Sequence, residues 1–170
     1  MQNFKEKLNK ISTLIFDIDG VFTDNHVLVM ESGEVVRNVH SKDGYALQLA
    51  IKKGYKIAII SGGNNLAVKN LLVRTGVQHI YINQHDKLQC YKDFINENNL
   101  SDEEILYVGD DLPDYEVMAR AGIAACPNDS APEIKNICIY ISPKEGGKGC
   151  VRDIIEQVMR AQGTWAIANW

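Results

Sequence analysis

The segment Leu14-Ile15-Phe16-Asp17-Ile18-Asp19-Gly20 ends an apolar run, Ile11 to Phe16, in two carboxylates one residue apart. On a strand, alternate side chains share a face. Asp17 and Asp19 are therefore predicted to emerge side by side, and Gly20 lets the chain turn sharply after them. Two such carboxylates repel each other, and they persist only with a cation nearby or a proton on one of them. Asp-x-Asp-Gly also suits an ordinary surface turn, so the pair alone leaves that alternative open. Three further polar sets follow apolar runs: Ser61-Gly62-Gly63, Lys87, and Gly109-Asp110-Asp111-Leu112-Pro113-Asp114. Asp17, Asp19, Asp110 and Asp111 offer hard oxygen ligands, which suit magnesium. Ser61 adds a hydroxyl and Lys87 a fixed positive charge. The amides after Ser61, at the start of the next helix, can hold an anion. A divalent cation, a lysine, a hydroxyl and helix-end amides together describe a phosphoryl site, in which a carboxylate can be the nucleophile.

Positioning these groups is the work of alternating elements. Ile11–Phe16, Lys56–Ile60, His79–Ile82, Ile105–Val108, Ile123–Ala125 and Cys138–Ile141 read as strands. Helices are predicted over about 42–53, with Ser41 as cap and Gly54 as stop, then 65–75, from Asp86-Lys87 to Asn98, and from Pro113 to about 120. Shorter and final helices follow at 131–136 and 150–161. Strands alternating with helices imply an α/β, Rossmann-like, doubly wound and mainly parallel sheet. Ligands bind such sheets at the carboxyl ends of strands, near the point where strand order reverses. The four polar sets all fall at that edge, which makes a chance turn a poor account of them. One interruption breaks the pattern. His26–Met30 and Val35–His40, joined by Glu31-Ser32-Gly33-Glu34, read as a β-hairpin of about residues 26–40. An isolated hairpin is marginal in water, so its valines imply a partner, such as another copy of the chain.

The chain has 170 residues, enough for one domain with a real core, and residues 1–170 are read as one. A net charge of -4 argues against nucleic-acid binding. No apolar run approaches a membrane span, and the polar start, Met1 to Lys10, does not resemble a signal peptide. Cys90, Cys126, Cys138 and Cys150 lack Cys-x-x-Cys spacing and suit reduced thiols of a cytoplasmic protein. The Gly146–Gly149 cluster lacks the P-loop pattern and reads as a tight turn beside the site. The histidines share no metal-like spacing. The apolar tail of about 164–170, with Trp165 and Trp170, suits either a frayed end or docking on a neighbouring subunit.

As a set, Asp17-Ile18-Asp19-Gly20, Ser61, Lys87 and Gly109-Asp110-Asp111 with Asp114 resemble the four motifs of the haloacid dehalogenase superfamily of phosphatases. Val39-His40-Ser41-Lys42-Asp43-Gly44-Tyr45, His85-Asp86-Lys87 and Gly146-Gly147-Lys148-Gly149 with Arg152-Asp153 extend the resemblance. They are similar to that superfamily's capless 3-deoxy-D-manno-octulosonate 8-phosphate phosphatases, which serve lipopolysaccharide sugar synthesis. The resemblance implies no cap domain and catalysis by Asp17, Asp19, Ser61 and Lys87. Asp17 would attack phosphorus, and Asp19 would protonate the leaving oxygen and then deprotonate water. Mg2+ would sit on the Asp17 carboxylate, the Asp19 backbone carbonyl and Asp110, with Asp111 close behind. Ser61 and Lys87 would hold phosphoryl oxygens, and Asp114 would support Lys87. His40, Ser41, Lys42, Asp43, Gly44, Gln48, Gly62 and Lys87 would contact a small phosphorylated sugar acid. A homotetramer held by the hairpin is also implied.

Relatives often carry basic residues at the positions of Gln48, Gly63 and Leu71, and none is basic here. Either other cations substitute, with Lys42, Lys69, Arg74, Lys148 and Arg152 as candidates and Lys42 preferred, or the substrate differs, for example a nine-carbon sugar acid; the first reading is favoured. A receiver-type phosphoacceptor also uses an aspartyl-phosphate, magnesium, a hydroxyl and a lysine. Receivers place the acidic pair and the acceptor on different strands and have no acid two residues after the acceptor, so Asp19 favours the enzyme.

Overall fold

A computed structural model describes residues 4–165 of the chain. Its centre is β1 (Thr13–Phe16), buried at every residue. β1 lies between β4 (Lys56–Ile60) and β6 (Ile105–Val108) and pairs in parallel with both, from Thr13 opposite Lys56 and Ile105 to Phe16 opposite Ile59 and Val108. β5 (His79–Tyr81), β7 (Ile123–Cys126) and β8 (Tyr140–Ile141) complete a six-stranded sheet in the order β5-β4-β1-β6-β7-β8. Every pairing in it is parallel. The chain winds outward from β1 to β5, then crosses back to β6 on the other side. The crevice at the carboxyl end of β1 is therefore the switch point that binds ligands in this architecture.

Two apolar layers cover the sheet, and the strand period divides them. Leu14 and Phe16 join one layer and Ile15 the other; Leu106 and Val108 likewise oppose Ile105 and Tyr107. The first layer is closed by α2 (Ser41–Lys52), α3 (Leu66–Arg74) and α7 (Cys150–Ala161). On α7, Val151, Ile154, Ile155, Val158 and Met159 form one helical stripe, and all are buried. The second layer is closed by α4 (Lys87–Glu97), α5 (Tyr115–Arg120) and α6 (Pro132–Ile137). A short α1 (Phe4–Leu8) precedes β1.

The hairpin is β2 (Thr23–Val29) with β3 (Val35–Val39), a separate antiparallel pair between β1 and α2. It starts earlier than the periodicity predicts. Thr23 pairs with Val39, the register shifts before Val27, and Asn25 adopts a left-handed φ of 59°. Such an irregularity bends a ribbon and re-aims side chains. Val27, Leu28 and Val29 are 51%, 63% and 66% exposed.

Other boundaries shift for local reasons. Ser41 is the first residue of α2 and not its cap; His40, extended at φ -97° and ψ 117°, holds the cap position without a side-chain bond. Ile11 is buried but precedes β1. Cys138 ends α6 in extended geometry, so β8 begins only at Tyr140. Trp165 packs on its own chain's core beneath Arg152 and Arg160, whereas Trp170 lies outside the described residues. Among the described residues, no helix is long and apolar enough to cross a membrane.

Candidate active site

The ladder does not stop at Phe16. The Asp17 amide donates to the Val108 carbonyl at 2.9 Å, which fixes Asp17 as the first residue beyond β1. Ser61 is held likewise after β4, its amide donating to Tyr81 at 2.9 Å and its carbonyl accepting from Gln84. Lys87 opens α4, whose cap is Asp86, with Oδ1 accepting from the Gln89 amide at 2.8 Å. Asp110 follows β6 and is anchored by its carbonyl, which accepts from Ala131. These anchors bring Asp17, Asp19, Ser61, Gly62, Lys87, Asp110 and Asp111 to one cavity of about 340 Å³, together with Asn25, Gly63, Pro113 and Asp114. Gly20 makes the approach possible. Its φ is +81°, and a Cβ there would overlap the Asp110 carboxylate. Gly146 presses against the Gly20 carbonyl in the same way, so the glycine cluster supports the Asp17–Gly20 turn from behind.

Asp17, Asp110 and Asp114 form a buried trio, each with one oxygen within 4.8 Å of the others. Burial first, then repulsion from Asp114, raises the Asp17 carboxyl to about 8, with Lys87 opposing the shift. Burial also raises Asp110 to about 6, with Asp114 and Asp111 adding to it and the Asn25 bond opposing it. Lys87 Nζ lies 2.8 Å from Asp114 Oδ1 and 3.1 Å from Asp17 Oδ1. Burial disfavours its charge, but the two carboxylates together outweigh that and hold it protonated. The contact with Asp17 is a charge pair, and the buried Asp17 Oδ1 has no hydrogen-bond partner. Clustered hard oxygens, two of them on carboxyls strained by burial, and one orphaned oxygen fit a divalent cation.

The trio differs in membership from the sequence reading. Asp114, expected only behind Lys87, belongs to it, and its Oδ1 also accepts from Tyr107 at 2.8 Å. Asp111 turns outward and spends Oδ1 on the Leu112 amide at 2.8 Å. The Asp19 side chain stands apart from the trio. Its Oδ1 accepts from Arg37 Nε and its Oδ2 from Asn65 Nδ2, both at 2.8 Å. Asn25 likewise donates to Asp110 Oδ2 at 2.8 Å. Sequence reasoning missed Arg37, Asn65 and Asn25. None belongs to a motif, although Arg37 as the one cation among the hairpin's apolar residues was a usable signal.

The remaining expected substrate residues lie elsewhere on this chain. His40, Ser41, Asp43, Gly44 and Gln48 line a second cavity of about 360 Å³, and exposed Lys42 lines neither. Asp43 is buried where α2 meets α7; its Oδ1 accepts from the Arg152 amide at 2.8 Å, and burial raises its carboxyl to about 6. A cleft of about 490 Å³ along β3 and α3 shares Val39, Val68 and Leu71 with the second cavity and is also lined by Arg37 and Asn65, the two residues that bond Asp19.

The haloacid dehalogenase-like hydrolase family model matches residues 38–122. The chain is 31% identical to the 3-deoxy-D-manno-octulosonate 8-phosphate phosphatase KdsC of Shigella flexneri, over 92% of this chain and 84% of that protein. The chain belongs to the haloacid dehalogenase-like hydrolases. Among solved structures of this family, a putative 3-deoxy-D-manno-octulosonate 8-phosphate phosphatase from Vibrio cholerae superposes with a TM-score of 0.92 at 32% identity, covering 96% of this chain and 91% of that one. The Moraxella catarrhalis phosphatase of that name, in complex with magnesium, phosphate and KDO, gives a TM-score of 0.91 at 28% identity, covering 94% and 91%. Family and site agree on a haloacid dehalogenase-type phosphatase, which sets the chain apart from receiver domains. Its acidic pair, Asp17 and Asp19, shares the end of β1, with Asp110 arriving later on β6.

Proposed function

We propose that the chain is a magnesium-dependent phosphatase of a sugar-acid phosphate, with 3-deoxy-D-manno-octulosonate 8-phosphate as the favoured substrate. The observation that carries this is the placement of Asp17 beside Lys87 with Asp19 held two residues on, all facing one cavity. The relatives' common substrate supports the choice of sugar acid. Asp17, Asp110 and Asp114, with the Asp19 carbonyl, are the groups that would hold Mg2+, and the bound ion would neutralise charge on the phosphoryl oxygens and the carboxylates.

The chain's own residues do the rest. The Asp17 carboxylate attacks phosphorus as the bond to the sugar oxygen breaks, and Asp19 gives its proton to that oxygen. Asp19 then takes a proton from water, which attacks the aspartyl-phosphate, releases phosphate and restores Asp17. Ser61 and Lys87 hold the phosphoryl oxygens against reorientation. We read residues 1–170 as one cytoplasmic phosphatase domain serving lipopolysaccharide sugar synthesis. The exposed hairpin valines would join copies into a homotetramer, whose neighbouring surface would cover a site that has no cap.

A phosphate-release screen over phosphorylated sugar acids, including the nine-carbon homologue, with and without magnesium, tests the assignment. Turnover of the eight-carbon acid above all others, abolished by chelation, is expected. A preference for neutral sugar phosphates discards the substrate while leaving the phosphatase standing.

A further inference from the structure

Arg37 is the hairpin's link to the site. Its Nε donates to Asp19 at 2.8 Å, and Asp19 is its polar partner among the described residues, so both Nη groups keep their donors unspent. It is 21% exposed at the side chain and is the cation of the cleft between β3 and α3. Three other cations are already committed. Lys87 is shared between Asp17 and Asp114, Lys148 faces Asp24 at 3.7 Å, and Arg152 lies over the Tyr45 and Trp165 rings. A substrate with its phosphate beside Asp17 must pass its leaving group over Asp19, because Asp19 protonates it. The body of that leaving group then meets Arg37.

We propose that Arg37 binds the carboxylate of the sugar acid through its Nη groups while its Nε holds Asp19 in place. The planar guanidinium suits this double use, since it presents donors along two edges in a fixed geometry. Recognition and proton transfer would then share one side chain. Asn65 completes the clamp on the other Asp19 oxygen, and Gly63 leaves it room: a Cβ at Gly63 would lie 3.0 Å from both Asn65 Nδ2 and Asp19 Oδ2. This inference rests on the phosphatase reading for the position of the leaving group.

Two measurements test it separately from that reading. In the first, 3-deoxy-D-manno-octulosonate and its uncharged methyl ester are titrated into the magnesium-loaded full chain by calorimetry, which needs no turnover. The wild type is expected to bind the acid about ten- to a hundredfold more tightly than the ester, the range for a lost charge-assisted bond. Arg37→Gln should erase that preference and Arg37→Lys restore part of it. A preference that survives Arg37→Gln, that is absent from the wild type, or that is lost in Lys42→Ala instead overturns the proposal. The second measurement compares single-turnover release of the sugar acid from its phosphate, at saturating enzyme, with release of p-nitrophenolate from p-nitrophenyl phosphate, whose leaving group needs no proton. It reads the first step alone, before Asp19 acts on water. Arg37→Gln should slow that step far more on the sugar substrate, with a raised KM there. Equal slowing of leaving-group release on both shows that Arg37 does not aim the Asp19 proton. Failure of the wild type to release phosphate from any sugar-acid phosphate would count against the phosphatase reading, and the calorimetric comparison would still judge Arg37.

Discussion

Lys87 Nζ donates to Asp114 Oδ1 at 2.8 Å from within a pair that is 6% and 1% exposed. The bond sets the lysine beside Asp17, with Nζ 3.1 Å from Asp17 Oδ1. Asp114→Asn keeps an acceptor but removes the charge, so Lys87 should swing toward Asp17. A weakened buried hydrogen bond to a charged group costs roughly 1–3 kcal/mol. We expect urea denaturation to show a loss of that order and kcat to fall at least about tenfold. Unchanged kcat would mean that Lys87 is aimed by something else.

Asp17→Asn should remove the nucleophile and reduce the rate by several orders of magnitude. It should also stabilise the metal-free protein at alkaline pH. The folded Asp17 carboxyl is raised to about 8 from 3.8, chiefly by burial, so the folded state holds that proton more tightly than the unfolded chain. Stability from this group is present at low pH and lost as pH rises through that window. Thermal melts without metal should therefore decline toward pH 8 in the wild type and decline less in Asp17→Asn.

Magnesium must displace the same proton. Below about pH 8 the apparent affinity should weaken with falling pH, by up to about tenfold per unit. Calorimetry in two buffers of different ionisation heat reads the released protons directly. An affinity that stays flat between pH 6 and 8 would show that Asp17 is already ionised before the cation arrives.

Charges on the hairpin should separate assembly from folding. Val27 and Val29 are 51% and 66% exposed on this chain, so glutamate at both costs the monomer little. Burying those charges at a subunit contact would cost far more. We expect sedimentation to show the wild type as a tetramer and the double variant as smaller species with reduced turnover. A monomeric wild type at assay concentrations would remove the hairpin assembly from consideration.

Much of this protein was legible in order along the chain. Continuous apolar runs alternating with helical stripes dictate a parallel sheet covered on both faces, because such strands bury both sides. In a parallel sheet every strand delivers its next residue to the same edge. Asp17, Ser61 and Asp110, just beyond β1, β4 and β6, therefore had to converge, and Lys87 joins them from the start of the helix that leaves the same edge after β5. What local pattern does not carry is which oxygen meets which donor. Asp111 precedes a short turn and spends its carboxylate on the Leu112 amide, so Asp114, three residues later, takes the buried place. Arg37 and Asn65 reach Asp19 from 18 and 46 residues away, and Asn25 reaches Asp110 across 85. Such contacts depend on how a bent hairpin and a helix start lie over the sheet edge. Strand and helix periods determine that each residue faces the edge; only the closed tertiary structure sets the few ångströms that turn neighbours into hydrogen-bonded partners.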